Sequence, residues 1–153
     1  MNYQDLRITK LRSYLFDVIN SITDDTNYQI NADMLGNIDD YSLDKMPTNT
    51  EIEKWITGTT KRREVYAFRS RKSYSQDTID NLLNIGFFEQ FERKIKSNND
   101  RGILPNIENI ESIECLNCGT MLSNDNGNSA IFDIQIQITY IENIEQEVAS
   151  LWK

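Results

Sequence analysis

The chain has 153 residues, 39% of them hydrophobic, no histidine, two cysteines and a formal net charge of −8. That length fits one domain with a modest core, and no run of ~18 apolar residues predicts a membrane-spanning helix. The missing histidine removes the commonest general base and transition-metal ligand, and the acidic balance does not suit general attraction to DNA phosphates.

The first ten residues are polar, then helical in pattern, without the apolar stretch and small-residue site of a signal peptide. The protein is therefore expected in the cytoplasm of its host. Residues 5–22 carry apolar groups at Leu6, Ile8, Leu11, Tyr14, Leu15, Val18, Ile19 and Ile22. The spacing 8, 11, 15, 18, 22 is one helical stripe, widened by 14 and 19. Asp5 falls in its first turn, where negative charge suits the helix dipole, and "TDDTN" should end it. Between 27 and 47, "NYQINADML" predicts a short strand and "DDYSLDKMP" another, closed by Pro47. Residues 52–57, Gly58 and residues 60–71 predict a hairpin. On its second arm Tyr66 and Phe68 point one way, Val65 and Ala67 the other. Such a strand is expected to be internal and packed on each side, with its charged ends projecting beyond the core.

Residues 75–97 predict a second helix, capped by Ser75 or Asp77, with Ile79, Leu82, Leu83, Phe87, Phe91 and Ile95 as its stripe. Gly86 falls within it, and a glycine inside a helix costs ~1 kcal/mol relative to alanine. Close approach of a neighbouring backbone is the expected compensation. Arg93, Lys94 and Lys96 are expected in the last turns, complementing the dipole. Residues 113–122 and 130–140 predict a second hairpin, joined by "SNDNGNS". On its second arm Phe132, Ile134, Ile136, Ile138 and Tyr140 face one side; Asp133, Gln135, Gln137 and Thr139 face the other. The element order implies an α+β fold, a mostly antiparallel sheet with two main helices packed on a face. It spans one domain over 1–141, followed by a C-terminal extension over 142–153.

Little in the sequence nominates chemistry. Cys115 and Cys118 form a C-x-x-C in a strand-like context, with no second pair to complete a zinc site. They read as two small strand residues. The adjacent acids Asp24–Asp25 and Asp39–Asp40 read as solvated loop. No phosphate-binding glycine loop or nucleophile elbow occurs. No catalytic residue, cofactor or metal is expected, and the protein is not expected to be an enzyme.

The charge pattern says more. Six of the sixteen basic residues lie between Lys61 and Lys72, opposed only by Glu64. Residues 24–53 carry eight acids and one base; residues 102–152 carry eight acids and none. Such asymmetry points to complementary partner surfaces. The candidate contact residues are Arg62, Arg63, Arg69, Arg71 and Lys72 on the basic side, and Asp39, Asp40, Glu51 and Glu53 on the acidic side. Two alternatives stay open. The basic residues can be a solvated edge that guards against unwanted strand pairing. Or the 61–74 strand binds single-stranded nucleic acid, with Tyr66, Phe68 and Tyr74 stacking on bases.

The order of "YSLDKMP" (41–47), "ITGTTKRREVYAFRSRKSYS" (56–75), "NIGFFEQFERKI" (84–95), "GILP" (102–105) and "IFDIQIQITY" (131–140) resembles a known group. These are the tail terminator, or tail completion, proteins of phages and phage-like elements of Gram-positive bacteria. The resemblance spans residues 11–140; each motif is weak singly, and their order is more specific. It implies a tail-terminator-like fold and a homo-oligomeric ring, typically six-fold, that caps the tail tube and stops its growth. It further implies contact with the tube protein and with a neck, collar or sheath protein, and DNA at most passing through the lumen. The expected place is the host cytoplasm during assembly, then a virion tail or a released contractile tail-like bacteriocin. Some members carry a chloramphenicol-resistance label, but the enzymes known to acetylate that drug use a histidine base, which this chain lacks. The extension over 142–153 departs from a typical member.

Overall fold

The structure, a computed structural model, describes residues 2–23, 30–32, 41–73, 78–117, 120–125 and 129–143. A 3-10 turn, Tyr3–Asp5, precedes α1 (Arg7–Ile22), β1 (Ile30–Ala32), β2 (Tyr41–Met46), β3 (Glu51–Lys54) and β4 (Thr59–Ser73). Then come α2 (Thr78–Asp100), β5 (Ile110–Cys115), β6 (Thr120–Asp125) and β7 (Ser129–Asn143). These form the α+β fold expected from the sequence: a mostly antiparallel sheet with two main helices.

The alternating stretches build the centre of the sheet. β4 and β7 pair antiparallel from Thr59 opposite Asn143 to Ser73 opposite Ser129. Each long strand carries two short ones on its other side. β2 and β3 pair with β4, while β5 and β6 pair with β7; β1 adds to β2 in parallel. β7 runs two residues past the expected domain boundary.

One face of the sheet is the core. Tyr41, Leu43, Tyr66, Phe68, Ile134, Ile136 and Ile138 meet Leu11, Leu15, Val18 and Ile19 of α1 and Phe91 and Ile95 of α2. Tyr41, Phe68 and Phe91 stack in sequence, with centroids 5.2 and 5.0 Å apart. This face-on stacking joins strand, strand and helix through apolar area and ring geometry together. Phe88 and Phe132 form a smaller cluster beside it. Val65 and Ala67 are buried on the opposite face, as expected of an internal strand. Both helices nevertheless lie on the core face. Val65 stands in register between Met46 and Gln137, and Ala67 between Asp44 and Gln135, so longer side chains flank each.

Several local expectations change. The arm expected over 113–122 is two strands. At the break, the backbone N–H of Leu116 donates to the Gln135 carbonyl at 2.8 Å, and the Asn117 side chain accepts from the Gln135 N–H at 2.7 Å. α2 continues to Asp100, so Arg93, Lys94 and Lys96 lie before its last turn and not within it. Gly86 does not admit a neighbouring backbone: among the described residues, nothing lies within 4 Å of where its Cβ would be. α1 starts at Arg7 without a side-chain cap, leaving Asp5 in the preceding turn. The expected caps of α2, Ser75 and Asp77, lie outside the described residues, as do Cys118 and residues 144–153.

Candidate functional site

Alternation along β4 sorts its charges. Glu64 lies two and four residues before Tyr66 and Phe68, so it shares their core face. Antiparallel pairing of β4 with β2 sets Lys45 opposite Tyr66, beside Glu64. The first turn of α1 brings Arg7 over the same point. Arg7 Nε and Nη2 donate to the two Glu64 carboxylate oxygens at 2.7 and 3.2 Å. Lys45 Nζ donates at 2.7 Å, and Tyr66 Oη at 3.0 Å. The Arg7 guanidinium also lies over the Tyr140 ring, 4.5 Å from its centroid. Burial alone pushes the Glu64 carboxyl up; hydrogen bonds from Arg7 and Lys45, with their charges, more than reverse this and hold it at about 2. Burial first, then the Glu64 charge, push the Tyr66 hydroxyl up, so it stays a donor. This arrangement orders the sheet and docks α1 onto it.

The opposite face holds a second group. Arg69 Nη1 donates to Asp44 Oδ2 at 3.0 Å, and Arg69 Nε lies 3.7 Å from Asp133 Oδ1. The latter is an ion pair too long for a hydrogen bond. Burial pushes the Asp133 carboxyl up; Arg69 opposes this and Asp44 reinforces it.

These pairs change the picture of the basic strand. Arg62 lies 3.7 Å from Glu142 and donates to Thr50 Oγ1 at 2.8 Å; Lys61 lies 3.4 Å from Glu111. Arg62 and Arg69 thus meet acids of their own chain, where the sequence suggested ends projecting for a neighbour. The reason is register: β4 runs between acid-bearing strands, and cross-strand neighbours of opposite charge attract. Arg63 donates to the Asn49 carbonyl at 2.8 Å and stays at the surface. Arg71 is half-buried and engaged. Lys72 is paired through its backbone opposite Ala130. Of the acidic candidates, Glu51 and Glu53 are exposed on β3, while Asp39 and Asp40 lie outside the described residues.

No family model and no curated protein matches this chain.

The feature that sequence reasoning missed is the end of the first hairpin. Every residue of β3 is exposed, and Ile52, Trp55 and Ile56 are 43%, 39% and 108% exposed. The turn is held by Trp55 N–H donating to the Thr59 carbonyl at 2.9 Å and Gly58 N–H donating to the Trp55 carbonyl at 3.0 Å. Gly58 has φ 89°, a left-handed conformation that glycine adopts without strain. The signal for this tip was present, since "EIEKWITG" places three large apolar residues on a short arm whose partner strand already supplies the core. For Glu64 the signal was its parity with Tyr66 and Phe68.

Proposed function

We propose that the protein is a structural subunit of a phage tail or phage-tail-like particle. Its copies form a ring that caps the tail tube, ends tube polymerisation and joins the neck or collar. The observation that carries this reading is the exposed hairpin, where Ile52, Trp55 and Ile56 stand outside the core beside Glu51 and Glu53. Large apolar residues gathered at one exposed place mark contact with another protein. Of the charged groups, the buried Glu64 and Asp133 are held in ion pairs within the chain, Glu64 by Arg7 and Lys45 and Asp133 by Arg69. The motif order over residues 11–140 supplies the particular assembly.

Negative-stain imaging and light scattering of the purified protein, with and without isolated tail tubes, test it. Closed rings, six-fold by the resemblance, are expected in solution and at tube ends. A chain that stays monomeric at every concentration and leaves tube ends bare overturns the reading. The nucleic-acid alternative has lost two of its three stacking platforms, since Tyr66 is 1% and Phe68 0% exposed; Tyr74 lies outside the described residues.

A further inference from the structure

We infer that residues 144–153 fold back as a short amphipathic helix over the tip of the β3–β4 hairpin of the same chain, and that a partner reaches the tip only by displacing them. The contact itself stands without the ring reading above; its effect on assembly rests on that reading.

The register of the sheet sets where this segment starts. β7 stays paired with β4 to its last residue, with Asn143 opposite Thr59, and Thr60 Oγ1 donates to the Glu142 carbonyl at 3.4 Å. Thr59 also closes the hairpin turn, its carbonyl accepting from the Trp55 N–H at 2.9 Å. The chain therefore leaves β7 beside the turn that carries Trp55 and Ile56. β3 is the second strand from β7, about 10 Å away at ordinary strand spacing. The ten residues from Ile144 to Lys153 cover ~15 Å as a helix, which is enough to reach it.

The sequence of the segment suits the role. Asn143, followed by Glu145, by Gln146 three residues on and by Glu147, is a helix start signal. Asn143 Oδ1 is buried without a hydrogen-bond partner among the described residues. It is thus free to accept a backbone N–H from a first turn. Ile144, Val148 and Leu151 follow at steps of four and three residues, one helical stripe, with Trp152 beside it. An isolated helix shorter than ~12 residues is marginal in water, so this one needs a surface for its stripe.

The tip is such a surface, with Ile52, Trp55 and Ile56 exposed together. A groove of about 510 Å³ also opens at the exit of β7, lined by Asp5, Arg7, Lys10, Glu108 and Glu142 among others. That groove is charged, and its apolar residues Ile107 and Tyr140 are already buried. An apolar stripe gains little there, and Glu145 and Glu147 would meet Asp5, Glu108 and Glu142. Removal of apolar area from water is the larger effect, and the tip is where that area stands exposed. In the ring reading the same patch faces a neighbouring subunit. A cover closed about nine-tenths of the time weakens that contact about tenfold, because only the open fraction binds.

The two tryptophans of the chain, Trp55 and Trp152, supply the test. Trp152→Phe leaves Trp55 as the sole reporter. At concentrations where light scattering shows a monomer, its fluorescence is expected at short wavelength and protected from acrylamide. Adding Val148→Asp with Leu151→Asp should move the emission to longer wavelength and remove the protection. Adding Ser150→Asp, which lies off the stripe, should leave both as they were. An unchanged urea midpoint checks that the sheet and the two main helices stay folded. Equal emission and quenching with and without the stripe substitutions overturns the contact, as does equal loss of protection in the Ser150→Asp chain. Protection that appears only as concentration rises places the segment on a second copy, which overturns it too. Native mass spectrometry reads the effect on assembly: the chain with the stripe substitutions should assemble at about tenfold lower concentration. Assembly at an unchanged concentration overturns the displacement step. A chain that is monomeric at every concentration, with and without the substitutions, removes the ring reading, while the fluorescence comparison still decides the contact.

Discussion

At Glu64, two opposed effects meet in one carboxylate. Removal from water disfavours its charge, and Arg7, Lys45 and Tyr66 restore it with four hydrogen bonds. The second effect wins, so the folded-state pKa is depressed, from 4.5 to about 2. A depressed carboxylate pKa contributes stability that is fully present above the unfolded value. That stability is lost as pH falls towards the folded value. The window is therefore roughly pH 4.5 down to 2, and the contribution at neutral pH is on the order of 3 kcal/mol. Glu64→Gln should lower stability by about that amount at pH 7, since Arg7 and Lys45 are partly exposed and can turn to water. Urea unfolding across pH 2 to 7 checks it. The variant should lose less stability than the native chain on acidification, and parallel acid limbs would refute the assignment.

Among the elements, α2 holds the clearest test. Gly86 sits within the helix, and among the described residues no atom within 4 Å would obstruct an added Cβ. Gly86→Ala should stabilise the protein by about 0.5–1 kcal/mol, through helix propensity and a less disordered unfolded chain. A thermal or urea midpoint that falls would show that the glycine has a packing role after all. Periodicity read the apolar stripes of α1 and β7 correctly, because each stripe follows the period of its own element and is buried along it. It missed the split between β5 and β6. That break depends on a side chain, Asn117, taking the place of a strand partner for Gln135, and a pattern of apolar residues carries no trace of it. The N–H of Ile113 is likewise satisfied by the side chain of Asn99 in α2, at 2.9 Å, a contact between residues 14 positions apart.

For the whole molecule, the paired strands β4 and β7 decide which charges are available. A basic run in an acidic chain reads as a binding patch until its neighbours are known. Here Lys61, Arg62 and Arg69 lie beside Glu111, Glu142, Asp44 and Asp133, and the interleaved aromatics of β4 lie under two helices. With a net charge of −8, the protein should show no binding to single-stranded DNA in filter assays even at low salt, where phosphate contacts are strongest. Tight, salt-sensitive binding would revive the nucleic-acid reading.

The sequence by itself determined the fold class, both helices, the two long strands and the inward set from Phe132 to Tyr140. These follow from local periodicity and turn residues, which act over a few positions. Only the tertiary structure decided the fate of the charges. Ion pairing needs two side chains within about 4 Å, and the partners here come from separate strands and from a helix: Glu64 from Arg7, 57 residues away, and Arg62 from Glu142. The same pairing that neutralised Arg62 and Arg69 left Ile52, Trp55 and Ile56 at the surface. Their partner strand had already turned its apolar face to the helices, and no core remained for the short arm to join.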